Sequence, residues 1–271
     1  MINVTGLYRE GTTSADNLST GSWNDYFEMT ADNFVTDTIN GGAGTDTIGY
    51  STSQVGVTVT LTNPTTRGGA SGGTVEADFV SVLYNPATMT YSLNNHHQLV
   101  ANLTSIENAT GSNYNDVLKG NGSANILNGG AGNDTIDGGG GADTIIGGAG
   151  HDTMTGGLSN DKFVFQHAYD GPMSAATYND MDTITDFVRG EDKIDLHLLV
   201  NETAGNHALS YIDTAAFSGV AGQVNEVWTG YGWLVKADLD GDRTADFQVL
   251  VHSTTDLEMH NHLQTSDFIL A

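Results

Sequence analysis

The sequence predicts an all-β fold assembled as a solenoid of short strands, and three observations carry that expectation. A nine-residue period runs without a gap from 111 to 164. An apolar residue recurs at the eighth position of every unit, and glycine supplies 35 of the 271 residues against 3 prolines. Glycine near 7% is ordinary, so this chain is dense in turns. A flexible glycine-rich linker would not hold an apolar residue in register through six units.

The units are GSNYNDVLK, GNGSANILN, GGAGNDTID, GGGGADTII, GGAGHDTMT and GGLSNDKFV. Position one is glycine throughout: Gly111, Gly120, Gly129, Gly138, Gly147 and Gly156. Position six is Asp116, Asn125, Asp134, Asp143, Asp152 and Asp161, and position eight is Leu118, Leu127, Ile136, Ile145, Met154 and Phe163. A separate copy, GGAGTDTIG at 41–49, has Asp46 at position six, and residues 32–40 form a worn copy in the same register. Glycines at positions one, two and four (Gly129, Gly130 and Gly132; Gly138, Gly139 and Gly141; Gly147, Gly148 and Gly150) are read as positive-φ turn residues that let carbonyl oxygens converge. The next four residues form a strand whose position-eight side chain faces inward.

These columns resemble the RTX nonapeptide family, GGxGxDxUx. The resemblance implies a right-handed parallel β-roll, an RTX solenoid with two units per turn, so that the 54-residue array makes three turns. Units of equal parity then stack, placing Asp116, Asp134 and Asp152 in one column and Asn125, Asp143 and Asp161 in the other. Stacked carboxylates repel, whereas Ca²⁺, which takes six to eight oxygens at about 2.3–2.6 Å, bridges successive turns. Several ions are implied, about four within the array: 116 with 134, 134 with 152, 143 with 161, and a weaker site at 125 with 143. Asp46 is the corresponding ligand of the separate copy.

Outside the array the signals thin out. Residues 1–40 read as an N-terminal capping segment ending in the worn repeat, and Asp25 serves as a comparison aspartate outside the columns. Residues 41–110 read as degenerate roll turns: Gly56 to Leu61 alternates as a strand should, and 103–108 lead directly into Gly111. Between them, 63–98 reads as an insertion looping out of the stack.

After Val164 the texture changes. Asp182 to Phe187, Gly190 to Leu196, and Ala237 to Asp242 with Ala245-Asp246-Phe247 resemble the C-terminal domain of serralysin-type proteases, over about 165–271. The resemblance implies a β-rich C-terminal cap covering the open end of the roll. Asp238, Asp240, Asp242 and Asp246 stand at positions one, three, five and nine of an oxygen-ligand loop. It is not an EF-hand, since glycine falls at position four and position twelve is not Glu. A metal loop and a turn with solvated acids both remain open. Residues 266–271, an acidic residue followed by a short hydrophobic tail, resemble the family's export signal, which is read by a type I ABC exporter.

Charge and composition bound the function. Eight Lys and Arg against 33 Asp and Glu give a net charge of −25. That argues against a nucleic-acid partner. With no cysteine there is no disulfide framework, thiolate metal site or Cys nucleophile. No apolar run approaches a membrane span, and the first residues lack a basic n-region and an apolar h-region.

No catalytic residue is assigned. H-E-x-x-H is absent, and Gly69-Ala70-Ser71-Gly72-Gly73 matches G-x-S-x-G without the helix pattern that a nucleophile elbow needs. His96-His97 and Glu258-x-His260-x-His262 are the best histidine groupings; the second could hold a transition metal, and exposed histidines on an acidic surface are the favoured account of both. The third-position threonine ladder that the resemblance would demand of an ice-binding roll is missing. The expectation is a secreted, extracellular calcium-binding RTX protein. Calcium sites of roughly 10⁻⁴–10⁻³ M fill outside the cell and drive folding. It would serve as a structural or interaction module toward a cell-surface polysaccharide, host surface or membrane. The alternative is a small extracellular hydrolase or polysaccharide-modifying enzyme with its site in the N-terminal 110 residues.

Overall fold

The computed structural model describes residues 7–10, 17–19, 24–29, 37–53, 56–62, 72–85, 90–104, 106–167, 181–203, 205–253 and 262–271. The chain coils between two sheets, alternating from one to the other at each half-turn. One sheet holds β1 (Leu7–Glu10), β3 (Tyr26–Met29), β5 (Thr47–Gly49), β9 (Asn108–Thr110), β11 (Ile126–Ala131), β13 (Thr144–Ala149), β15 (Lys162–Val164), β17 (Lys193–Asp195) and β22 (Phe268–Ile269), in that order. Every neighbouring pair in it is parallel.

The opposite sheet runs β2 (Asn17–Ser19), β4 (Asp37–Asn40), β8 (Thr90–Thr104), β7 (Gly72–Asn85), β6 (Val57–Thr62), β10 (Val117–Lys119), β12 (Thr135–Asp137), β14 (Thr153–Thr155) and β16 (Asp182–Phe187). It continues through β21 (Phe247–Ser253), β20 (Trp233–Asp238), β19 (Gln223–Trp228) and β18 (Ser210–Tyr211). This is the parallel β-roll with a β-rich C-terminal cap.

The eighth-position rule sets the register. Leu118 pairs with Ile136, Ile136 with Met154 and Met154 with Ile184; on the other sheet Leu127 pairs with Ile145, Ile145 with Phe163 and Phe163 with Ile194. All eight side chains are completely buried, in one core that continues into the cap. Alternation explains this: a strand's successive side chains point to opposite faces, so the neighbours of the position-eight residues turn outward, except Val164 beside Phe163, which is buried. Ile126, beside Leu127, is 49% exposed. Three-residue strands suffice because parallel stacking satisfies their backbone groups on both sides.

The stretch 63–98, expected to loop out of the stack, departs from that expectation only at its base. Residues 63–71 and 86–89 lie outside the described residues; Gly72–Ala77 of β7 is set into the sheet against β6, while 78–85 and 90–97 pair with each other as a two-stranded hairpin that extends beyond it. β7 pairs with β6 from Val57↔Ala77 to Thr62↔Gly72, and β8 pairs in parallel with β4 from Asp37↔Ala101 to Asn40↔Thr104. Apolar periodicity is a poor guide here because Thr, Val, Tyr and Phe favour strands without a regular inside–outside pattern. The N-terminal capping segment falls largely outside the described residues. Its described parts, β1 to β3, extend the same two sheets.

In the cap, β19, β20 and β21 form an antiparallel meander attached to β16 through β21. Phe165 meets Phe247 edge-on at 5.0 Å between ring centroids, joining the last turn of the roll to the meander. The final strand, β22, pairs with β17 and forms the edge of the first sheet.

Replacing Ile145 with Ala should lower the stability of the calcium-loaded fold by about 2–5 kcal/mol, and Ile126→Ala by no more than about 0.5 kcal/mol. Urea unfolding followed by circular dichroism separates the two; equal losses would contradict the inward–outward assignment.

Candidate metal centre

Each strand of the array is preceded by its position-six residue, and stacking brings these residues into two buried columns. In one, the backbone N–H of Asp116 donates to Asp134 Oδ1, that of Asp134 to Asp152 Oδ1 and that of Asp152 to Asp182 Oδ1, each at 2.8 Å. In the other, Asn125 donates to Asp143 Oδ1, Asp143 to Asp161 Oδ1 and Asp161 to Asp192 Oδ1, at 2.7, 2.9 and 2.9 Å. The backbone carbonyl of each residue meanwhile accepts from the next turn, as Asp134 O does from Thr153 N–H. One carboxylate oxygen has thus been built into the backbone ladder.

The second oxygen is what matters chemically. Oδ2 of Asp134, Asp143 and Asp161 is buried and has no hydrogen-bond donor among the described residues. A buried carboxylate oxygen without a partner is costly. Beside each lies a cradle left by the position-one glycine. A Cβ on Gly138 would sit 2.5 Å from Asp143 Oδ2 and 2.6 Å from the carbonyl oxygen of Gly156. A Cβ on Gly129 would run into Asp134 Oδ2 and sit 2.5 Å from the carbonyl oxygen of Gly147, and one on Gly156 would sit 2.5 Å from Asp161 Oδ2. Here the expected role of the position-one glycine changes. Positive φ belongs to positions two and four, as at Gly139 (89°) and Gly141 (95°), and the same holds for Gly130, Gly132, Gly148 and Gly150. Position one is glycine because a side chain would fill the space between a carboxylate and a carbonyl. Orphaned carboxylate oxygens, converging carbonyls and a vacated Cβ position form a hard-cation donor set, and Ca²⁺ fits it.

The array's upper ends are closed by protein donors instead. Asp116 accepts from Val57 N–H on Oδ1 and from Ser112 N–H on Oδ2, with the Ser112 hydroxyl against both oxygens. Asn125 Oδ1 accepts from Asn121 N–H while its Nδ2 donates to Glu107 O. These two positions, expected as ligands of two of the four sites, therefore have a smaller electrostatic need for an ion than Asp134, Asp143 and Asp161.

The columns also extend further than the nonapeptide spacing reveals. Asp25 N–H donates to Asp46 Oδ1 at 2.8 Å, and Asp46 N–H to Glu107 Oε2 at 2.7 Å. Oδ2 of both Asp25 and Asp46 is buried without a donor among the described residues. Asp25 is therefore a member of the column, contrary to its use as an outside comparison. At the other end Asp192 Oδ2 accepts from Val188 N–H, and Asp186 receives the N–H groups of Gly156 and Gly157. Asp182, Asp192, Asp25 and Glu107 were not legible as column residues because their separations from neighbouring turns are not 18.

The C-terminal acidic loop joins β20 to β21. Carboxylate oxygens of Asp238, Asp240 and Asp246 lie within 4.8 Å of one another, and Asp242 is not part of the group. Both oxygens of buried Asp238 accept backbone N–H groups, from Gly241 and Arg243, and Asp246 Oδ2 accepts from Leu239. These bonds account for the loop as a hairpin turn. Of the histidine groupings, Glu258 and His260 lie outside the described residues, and His96-His97 is on β8, opposite Phe79 and Asp78.

With no cation present, burial drives Asp134 up to about 8; the Asp116 N–H bond opposes this, and the carboxylates of Asp152 and Asp116 add to it. Asp143 is pushed up to about 7 by burial, with Asp161 and Asp137 adding and the Asn125 N–H opposing. Burial also raises Asp161 and Asp46 to about 6.

A parallel roll with two stacked carboxylate columns is a cation-binding β-solenoid. The chain belongs to the Peptidase M10 serralysin C terminal family, whose profile matches residues 93–270, and the RTX calcium-binding nonapeptide repeat (4 copies) matches residues 36–49. It is a calcium-binding RTX protein. No curated protein matches it. Among solved structures, the AlgE6R3 subunit of the Azotobacter vinelandii mannuronan C5-epimerase is similar at 24% identity, covering 59% of this chain and 80% of that one, with a TM-score of 0.41. The AlgE6R2 subunit of the same epimerase is similar at 23% identity, covering 58% and 89%, with a TM-score of 0.39.

Two outcomes are expected. Gly138→Ala should weaken calcium binding, measured by titration calorimetry, while the outward Asp137→Ala leaves it nearly unchanged. The second concerns pH. Asp134 and Asp143 ionise in the unfolded chain near the ordinary 3.8 but hold protons in the cation-free fold to about 8 and about 7. The cation-free fold therefore binds more protons between these limits and loses stability as pH rises through them. In chelator, β-structure should increase on acidification toward about pH 4, and calcium affinity should rise from about pH 5.5 to 8 as protons cease to compete. A pH-independent affinity would contradict this account.

Proposed function

We propose that this calcium-binding protein is secreted, crosses the cell envelope unfolded through a type I ABC exporter, and folds when calcium fills the columns outside. The observation that carries the reading is the set of buried Oδ2 atoms on Asp134, Asp143 and Asp161, which have no donor among the described residues. At low calcium the roll must either bury these charges uncompensated or take up protons in place of the ion, and at neutral pH the unfolded chain is favoured. At extracellular calcium, binding and folding become one equilibrium.

The C-terminal residues support the order of events. Asp267 and Phe268, within the proposed export signal at 266–271, are buried in the folded protein, and Phe268 pairs with Ile194 on β17. Asp267 accepts from the backbone N–H of Gly190 and Gln264. An exporter can read that segment before folding and not after. Once outside, the protein acts as a structural or interaction module toward a cell-surface polysaccharide, a host surface or a membrane. Retention on glycans and lipid vesicles, with and without calcium, identifies which.

Chelation should abolish the β signal in circular dichroism and expand the chain in small-angle scattering, and added calcium should restore both. Asp134→Ala or Asp143→Ala should shift the calcium midpoint of folding upward by roughly tenfold or more, and Asp137→Ala hardly at all. A compact, β-rich chain in chelator at neutral pH would overturn the switch.

A further inference from the structure

Away from the columns, the cap brings together a second and chemically different donor set. Asp213 follows β18, Glu226 lies in the middle of β19, and His262 opens the last described segment. His262 Nδ1 is 3.0 Å from Glu226 Oε1 and 3.4 Å from Asp213 Oδ1, and ligand atoms of all three lie within 4.8 Å of one another. Two ligands sharing one ion at about 2.0–2.2 Å stand about 3.0–3.5 Å apart, so the spacing is that of a common coordination sphere.

Charge points the same way. Glu226 is completely buried, and among the described residues no lysine or arginine pairs with it. Its oxygens share the Leu263 N–H at 3.2 Å each, and the Tyr211 and His262 side chains hydrogen-bond to Glu226 as well. One imidazole stands between two carboxylates. A cavity of about 270 Å³ opens beside it, lined by Thr214, Glu226, Val227, Trp228, Trp233 and His262. The Trp233 ring is 4.8 Å from the imidazole and 5.2 Å from Trp228, so one side of the donor set is walled by aromatic rings.

We propose that Asp213, Glu226 and His262 form a site for one divalent transition-metal ion, of which Zn²⁺ is the type, separate from the calcium columns. The nitrogen donor sets the selectivity. Imidazole suits zinc, copper, nickel and cobalt, whereas calcium is held by oxygens alone. Three protein ligands leave a coordination position facing the cavity for water or an exogenous donor. The ion joins three elements distant in sequence and fastens the terminal segment that carries β22 to the meander.

The test uses the full chain with its calcium sites saturated. Titration with ZnCl₂ should show one further ion per chain, and CoCl₂ should give visible absorption bands of nitrogen- and oxygen-bound cobalt. CuCl₂ should quench tryptophan emission because Trp233 lies against the ligand ring. His262→Ala and Asp213→Asn, checked for a retained fold by circular dichroism in calcium, should each weaken zinc binding by at least about tenfold. A perturbed His262 imidazole resonance on adding zinc to the unaltered chain gives the same answer without a variant. Absence of any ion beyond those of the roll, or binding that survives both substitutions unchanged, overturns the site.

Discussion

The whole molecule depends on one arrangement: like charges stacked one strand spacing apart inside a protein. Neighbouring strands lie about 4.8 Å apart, so a carboxylate repeated at the same point of every turn faces another carboxylate above and below. The roll uses one oxygen of each as a hydrogen-bond acceptor for the preceding turn, as where Asp134 Oδ1 receives the N–H of Asp116. That bond fixes where the other oxygen points and leaves it buried. The fold therefore creates the need that calcium meets, and stability, ligand affinity and pH response are expressions of the same buried charge.

Glycine and the apolar ladder serve that arrangement from opposite sides of the backbone. Completely buried side chains such as Ile136 and Ile145 hold the two sheets at a fixed separation. The turns on the rim must then bring carbonyls toward the carboxylates in very little space. At Gly138 the missing Cβ leaves that space open, while Gly139 and Gly141 turn the chain in conformations that L side chains seldom adopt. Two demands, one steric and one conformational, fall on glycines one and two residues apart. A single consensus letter conceals the difference.

The ends show how such a column stops. Ser112 and Asn121 supply donors to Asp116 and Asn125 at the top of the array, and Val188 supplies one to Asp192 at the bottom. Each closure exchanges a cation for backbone or hydroxyl hydrogens. Sheet edges are handled separately, with the hairpin of β7 and β8 inserted beside β6 and the cap meander extending from β16. The roll is thereby embedded in larger sheets, which limits the unpaired edge it presents.

The nonapeptide spacing made the core ladder and the central ligands legible, since a strict period of nine repeats both the inward side chain and the acidic position without reference to the rest of the chain. It could not show Asp25, Glu107, Asp182 or Asp192 as members of the columns. Their offsets from the neighbouring turn are 21 for Asp25 to Asp46, 61 for Asp46 to Glu107, 30 for Asp152 to Asp182 and 31 for Asp161 to Asp192. Once a turn contains an inserted loop or hairpin, spatial stacking is preserved and sequence spacing is not. The grouping of Asp213, Glu226 and His262 was likewise hidden, because it is assembled from three elements of the cap. The sequence by itself determined that this is a calcium-binding β-roll, because repeats specify local geometry. Which carboxylates remain in need of an ion was decided by tertiary structure alone, because it depends on whether a donor from a distant turn reaches the second oxygen first.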